Sequence, residues 1–130
     1  MNLAHRWFCQ STGWSRVIRE RVPWALKDLE LGPDVLEIGP GYGVTTDLVH
    51  PLVKKLTCIE IDRGLAQALD RRMLGRNVRV LCEDATSSSL SDECADAVVC
   101  FTMLHHVPSQ RLQDRLLAEV ARVLRRASCQ

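Results

Sequence analysis

The stretch whose reading decides the fold runs from Asp34 to Gly43 and reads DVLEIGPGYG. A short run rich in Val, Leu and Ile, Val35–Ile38, carries one acid, Glu37, and then breaks into glycines at 39, 41 and 43. Apolar runs of this length predict a parallel strand covered on both faces. Glycines at alternate positions let the backbone turn tightly and let a ligand approach without meeting a Cβ. A carboxylate just before such a loop repels a pyrophosphate and attracts a cation. The stretch therefore predicts a strand leading into a binding loop for a positively charged ligand.

Three further apolar runs follow, Leu56–Ile61, Val78–Leu81 and Ala97–Met103. Helical periodicity lies between them. Val44, Leu48, Val49 and Leu52 keep roughly a 3.6-residue period until Pro51, which should kink or end that helix. Gly64–Leu74 places Leu65, Ala68, Leu69 and Met73 on one face. The last helix has Ser109 as N-cap and a stripe of Leu112, Leu116, Val120, Val123 and Leu124, with Pro108 marking the loop before it. Ala85–Cys94, ATSSSLSDEC, reads as a polar loop, and Asn2–Leu31, with Trp7, Trp14 and Trp24 and interrupted by Pro23, as one or two amphipathic helices. The order β-α-β-α-β-loop-β-α predicts an α/β fold, a parallel sheet of about four strands with helices on its faces and right-handed crossovers.

At 130 residues the chain is one domain by size, and 17 basic against 16 acidic residues give a formal net charge of +1. That balance lacks the basic footprint expected of a nucleic-acid binder or a polybasic membrane anchor. The expectation is no nucleic acid and no membrane. Six cysteines form no C-x-x-C pair, and no histidines sit at zinc-finger spacing. Cys58, Cys82 and Cys100 lie in apolar runs and predict reduced core thiols, with no metal site. The N-terminus has no signal-like apolar region, and no run reaches the roughly 18 apolar residues of a membrane span. A soluble, cytoplasmic protein is expected.

Ligands of an open parallel sheet bind outside the carboxyl ends of its strands. The first strand ends in the glycine loop, the second in Glu60-Ile61-Asp62, the third in Glu83-Asp84-Ala85 and the fourth in Phe101-Thr102-Met103-Leu104-His105-His106. Glu60 follows Gly39 by 21 residues, the offset at which an acid takes a ribose diol. Asp84 could accept from an adenine amino group. Each acid alone reads as a solvated loop residue; the set, with the glycine loop, reads as a nucleoside site. A triphosphate is disfavoured because the loop lacks G-x-x-x-x-G-K-[ST] and any lysine, and a dinucleotide because Val44 and Glu37 stand where a small residue and no acid belong. An adenosine bearing cationic rather than phosphate groups fits, which describes S-adenosyl-L-methionine.

LEIGPGYG followed by CIEID, CEDA, DAVVCFTMLHHV and AEVARVLR resembles the class I S-adenosylmethionine-dependent methyltransferases, more narrowly their small-molecule type, over about residues 31–125 in the family's motif order. The resemblance implies a Rossmann-like doubly wound parallel sheet, incomplete at about four strands with N-terminal helices, and S-adenosyl-L-methionine as cofactor. It implies that Glu37, Gly39, Gly41 and Gly43 hold the methionine part and that Glu60 holds the ribose. Ile61 would pack on the adenine, Asp84 and Ala85 would bind its edge, and Phe101 with Thr102 would lie beside the sulfonium end. Tyr42 would sit over the cofactor and Pro40 would stiffen the turn.

Methyl transfer from a sulfonium mainly needs donor and nucleophile held in line at about 3–3.5 Å, with a base only where the acceptor must lose a proton. His105 and His106 read first as structural residues of the loop before Pro108, and of the two His105 is the candidate to face a small-molecule acceptor. The family continues past AEVARVLR into a Pro-Gly-Gly turn and further strands, whereas here Arg125 is followed only by RASCQ. The expected organisation is an N-terminal helical segment at 1–31 and a cofactor-binding domain at 32–130 truncated at its C-terminus. The fourth strand then forms an exposed edge open to self-association. Two alternatives remain at this point: a non-catalytic fragment acting through edge pairing, and a dinucleotide-binding oxidoreductase module.

Overall fold

The computed structural model describes Ala4 and residues 11–127; the expectation of a helix through Trp7 lies outside the described residues. Helix α1 spans Thr12–Leu26, and the Ser11 hydroxyl caps it by accepting from the Trp14 amide at 3.2 Å. Then follow β1 (Asp34–Ile38), α2 (Val44–Val49), a 3₁₀ turn (His50–Leu52), β2 (Lys55–Ile59), α3 (Arg63–Arg72), β3 (Val78–Leu81), β4 (Ala97–Val99), a second 3₁₀ turn (Leu104–His106) and α4 (Gln110–Val123). The four strands form one parallel sheet in the order β3-β2-β1-β4. This is the α/β arrangement that the apolar runs predict.

Alternation along β1 explains how the sheet is covered on both faces. Val35 packs with Leu56, Cys58 and Val99 against α1, α2 and α3 through Ile18, Val22, Leu26, Val49 and Leu69. Leu36 and Ile38 face the other way and pack with Ile59 against Leu116 and Val123 of α4. Helix α1 thus shares a core with the sheet. Register places Glu37 beside Cys58 on one side and Val99 on the other.

Several expectations are corrected in detail. Helix α1 runs through Pro23, because the proline falls in its last turn and the buried stripe Ile18-Val22-Leu26 spans that position. Strand β4 stops at Val99 rather than Met103, since Thr102 takes a left-handed backbone, φ 53°, that no strand accommodates. Of the three cysteines expected in the core, Cys58 is buried, whereas Cys82 and Cys100 are exposed at strand ends. Pro51 acts as expected: α2 ends at Val49 and the chain tightens into a 3₁₀ turn. Ser109 caps α4, accepting from the Leu112 amide at 3.3 Å.

Strand β4 stands at the edge of the sheet, but the approach to it is already joined by the segment after α4. Ala95 donates to Val123 O at 3.0 Å and accepts from the Arg125 amide at 2.8 Å, forming one parallel bridge. The Arg125 guanidinium then ties Asp34, at 3.0 Å, to Asp96, at 2.7 Å.

Leu56 of β2 is fully buried, whereas Leu74 is 75% exposed after α3. Leu56→Ala is expected to destabilise the protein by about 2–5 kcal/mol and Leu74→Ala by less than about 0.5 kcal/mol, read from urea midpoints at a constant m-value. Equal losses would show that the core is not centred on β2.

Candidate functional site

A cavity of about 550 Å³ opens at the carboxyl ends of the four strands. Each strand end contributes. After β1 come Gly39, Pro40, Gly41 and Tyr42; after β2, Glu60, Ile61 and Asp62; after β3, Glu83, Asp84 and Ala85; after β4, Phe101, Thr102 and Met103. Trp14 and Ile18 of α1 close one side, and Leu112 and Leu116 of α4 close the other. Four carboxylates line the cavity, and no lysine or arginine is among the described lining residues.

The three loop glycines serve different neighbours. Gly43, with φ 81°, is the N-cap of α2, and the space a Cβ would need is filled by the Arg72 guanidinium and the Leu69 side chain. At Gly39 the space belongs to Met103, whose side chain lies across the glycine from the end of β4. Only at Gly41 would a Cβ meet nothing within 4 Å. Open room over the backbone therefore lies at Gly41, while Gly39 and Gly43 make way for protein side chains.

Glu60 is 6% exposed, and its two oxygens accept from the Gly41 amide and the Asp62 amide, each at 3.0 Å. A carboxylate offers about four lone-pair sites, so two remain for a ligand. Asp84 accepts from the Thr86 amide and hydroxyl on one oxygen, both at 2.8 Å, and these bonds hold its carboxyl below the usual carboxylate range. Ser89 does the same for Glu83 through its hydroxyl and amide. Ile61 is 70% exposed over the cavity, an apolar platform kept at the surface. The Tyr42 hydroxyl is buried without a hydrogen-bond partner among the described residues.

Three expected site residues, Glu37, Gly43 and His105, do not line the cavity beside Gly41. Glu37 is 1% exposed, and its carboxylate accepts from the Thr45 hydroxyl, from the Thr46 hydroxyl at 2.6 Å and from the Cys58 thiol at 3.5 Å. It lies beneath the loop and ties β1 to the first turn of α2, outside the cavity lining. The acids that line the cavity are those at the ends of β2 and β3. Gly43, as above, is filled from behind by Arg72. The histidine assignment also moves: His106 lines the cavity rim and His105 does not, their rings stacking at 3.9 Å between centroids. Gly39, Pro40, Gly41, Tyr42, Glu60, Ile61, Asp84, Ala85, Phe101 and Thr102 are all brought together as expected. Asp62, Glu83 and Met103, read from the sequence as strand-end residues without a ligand role, also line the cavity, as does Trp14, which arrives through helix packing that no local motif signals.

Comparison with known proteins places this geometry in a family. Residues 36–128 match the family model described as "Methyltransferase domain". The chain belongs to this family, and its fold is that of the class I S-adenosylmethionine-dependent methyltransferases. It is similar to ribosomal RNA small subunit methyltransferase A of Desulfitobacterium hafniense, with 38% identity over 77 residues, 59% of this chain and 27% of the relative. The enzyme of the same name from Metamycoplasma arthritidis is 33% identical over 102 residues, 77% of this chain and 39% of the relative. A SAM-dependent methyltransferase of Aquifex aeolicus superposes with a TM-score of 0.75 at 20% identity, over 96% of this chain and 68% of that one. The chain spans well under half the length of the two curated relatives.

The expectation that nucleic acid is excluded is overturned by these relatives, whose names specify ribosomal RNA. Its physical basis was a net charge averaged over the chain, which conceals how charge is distributed. Four of the 16 acids line the cavity, so the 17 basic residues face only the 12 acids that remain elsewhere. An average over this chain also measures nothing of the larger part of the relatives' length.

Burial pushes the Glu37 carboxyl above its ordinary value of 4.5 against the opposing hydrogen bonds from Thr45, Thr46 and Cys58. Because the value is raised in the fold, this group's contribution to stability is full below 4.5 and is lost as pH rises through the raised value. Above pH 4.5 the wild-type protein is expected to lose stability as pH rises through the raised value, and Glu37→Gln to flatten that slope. Chemical denaturation across this range checks it, and parallel profiles for the two proteins would refute the assignment.

Proposed function

We propose that this chain binds S-adenosyl-L-methionine in the strand-end cavity and forms the cofactor-binding part of a methyltransferase whose acceptor is RNA. The observation that carries the cofactor reading is the lining: four carboxylates, an apolar platform and no lysine or arginine among the described residues. That chemistry suits an adenosine carrying ammonium and sulfonium groups and opposes a phosphate. The volume lies within the roughly 300–1,000 Å³ of small-molecule sites. The names of the curated relatives support the acceptor reading.

When bound, the cofactor supplies a methyl group already activated by its sulfonium. The rest is positioning by this chain. Glu60 accepts the ribose hydroxyls on its two remaining lone-pair sites while still holding Gly41. Asp84 accepts from the adenine amino group through the oxygen that Thr86 does not use, and Ile61 and Ala85 supply apolar contact to the ring. Gly41 gives the methionine part room over the backbone, between Tyr42 and Phe101. Thr102 and Met103 follow β4 and line the same cavity. His106 at the rim is placed to take a proton from an acceptor that must lose one. We assign the cofactor role to residues 32–130 and the role of a side wall to the N-terminal helical segment, residues 1–31, through Trp14 and Ile18.

Isothermal titration with S-adenosyl-L-methionine is expected to give saturable binding, weakened at least about ten-fold in Glu60→Ala through loss of a charge-assisted bond. No binding by folded protein defeats the cofactor assignment, and unchanged affinity in Glu60→Ala defeats the ribose role. For the acceptor, protein supplied with cofactor bearing a tritiated methyl group is offered small-subunit ribosomal RNA and, separately, a low-molecular-mass metabolite extract. Label in the RNA is the expected outcome; label confined to the extract overturns the RNA reading.

A further inference from the structure

We infer that Arg72 is a positioning residue, which clamps the Pro40–Gly43 loop from behind in the shape that accepts the ligand. It is the last residue of α3 and does not line the cavity. Its Nη1 donates to the Asp47 carboxylate at 2.6 Å, and its Nη2 donates to both the Tyr42 and Gly43 carbonyls at 3.2 Å. One planar group thus joins two successive loop carbonyls to an acid in the first turn of α2. Gly43 admits it, because a Cβ there would overlap the guanidinium.

The loop is held from the opposite side as well. Glu60 accepts from Gly41, and the Gly43 amide closes the turn onto Pro40 O at 2.9 Å. Asp62, two residues after Glu60, caps α3 by accepting from the Leu65 amide at 3.0 Å. Helix α3 therefore grips the loop at both ends: the segment leading into its first turn holds Gly41 from the cavity side, and its last residue holds Tyr42 and Gly43 from the solvent side. With the two carbonyls fixed, the Tyr42–Gly43 and Gly43–Val44 peptide planes cannot rotate into the cavity. Arginine suits this task because its rigid fork meets several acceptors in one plane, whereas a lysine ammonium is a point charge on a flexible stem. The Arg72 side chain is 43% exposed and Asp47 keeps Arg19 at 3.9 Å, so replacing Arg72 leaves no buried charge unpaired and the variants are expected to fold.

The affinity part of this inference rests on the cofactor reading above, whereas the loop part does not. Wild-type, Arg72→Lys and Arg72→Gln proteins are compared by thermal melting, by amide hydrogen exchange at residues 41–44 without ligand, and by titration with S-adenosyl-L-methionine. Arg72→Lys keeps a cation for Asp47 and is expected to melt close to wild type. Its loop exchange should nonetheless be faster, and its affinity weaker, by about ten-fold each, as expected from losing the forked bonds. Wild-type exchange in the loop of Arg72→Lys overturns the clamp, and so does wild-type affinity in that variant. A lowered melting temperature in Arg72→Gln with exchange and affinity unchanged also overturns it, leaving Arg72 a purely structural residue. Should the wild-type protein fail to bind, the cofactor reading falls, and the clamp is then decided by the exchange rates alone.

Discussion

The arch between β1 and α2 is held down by one buried carboxylate. Glu37 leaves the sheet face pointing into the layer beneath α2, where the hydroxyls of Thr45 and Thr46 and the thiol of Cys58 meet it. A carboxylate excluded from water must be satisfied locally or take up a proton, so the first turn of α2 is drawn over the end of β1. The five residues between them have little freedom left. They cross the strand end as the loop Gly39–Gly43, closed by its own turn, and the cavity exists because that loop stands over the sheet.

The other elements of the site follow from this arch. Glu60 reaches it from β2, Met103 lies across Gly39 from β4, and Arg72 enters behind Gly43 from the end of α3. Glycine is required twice because a neighbouring side chain needs the room, and once where the cavity itself is open. Two acids are buried: Glu37 is turned to Thr45, Thr46 and Cys58, while Glu60 joins the less buried Asp62, Glu83 and Asp84 in the cavity lining.

Much of this was legible from the chain alone. The runs at Val35, Leu56, Val78 and Ala97 begin or end within two residues of their strands, apart from the early stop of β4. That stop depends on Thr102 adopting a left-handed backbone, which a β-branched residue does not advertise. Periodicity located α3 and α4, and Ser109 marked the cap of α4. The candidate ligand residues after β2, β3 and β4 were readable because a parallel sheet gathers its strand ends on one side. Glu37 was misplaced for a related reason: alternation along a strand gives two faces, and a single acid does not say which one opens onto the cavity. Cys82 and Cys100 failed similarly, since apolar runs of the sequence extend past the points where the strands leave cover.

The sequence by itself therefore determined the order of strands and helices, the strand ends that meet, and the chemical class of ligand they suit. These depend on hydrophobic period, on turn-forming residues and on the count of acids, all local properties. Only the tertiary structure decided which acid is buried and which is presented, that His106 rather than His105 reaches the rim, and that Trp14 and Arg72 bear on the site at all. Those outcomes depend on distances between residues up to 30 apart or more in the chain, set by how helices seat on the sheet. No spacing in the sequence encodes such a distance, because it is fixed only when both faces of the sheet have packed.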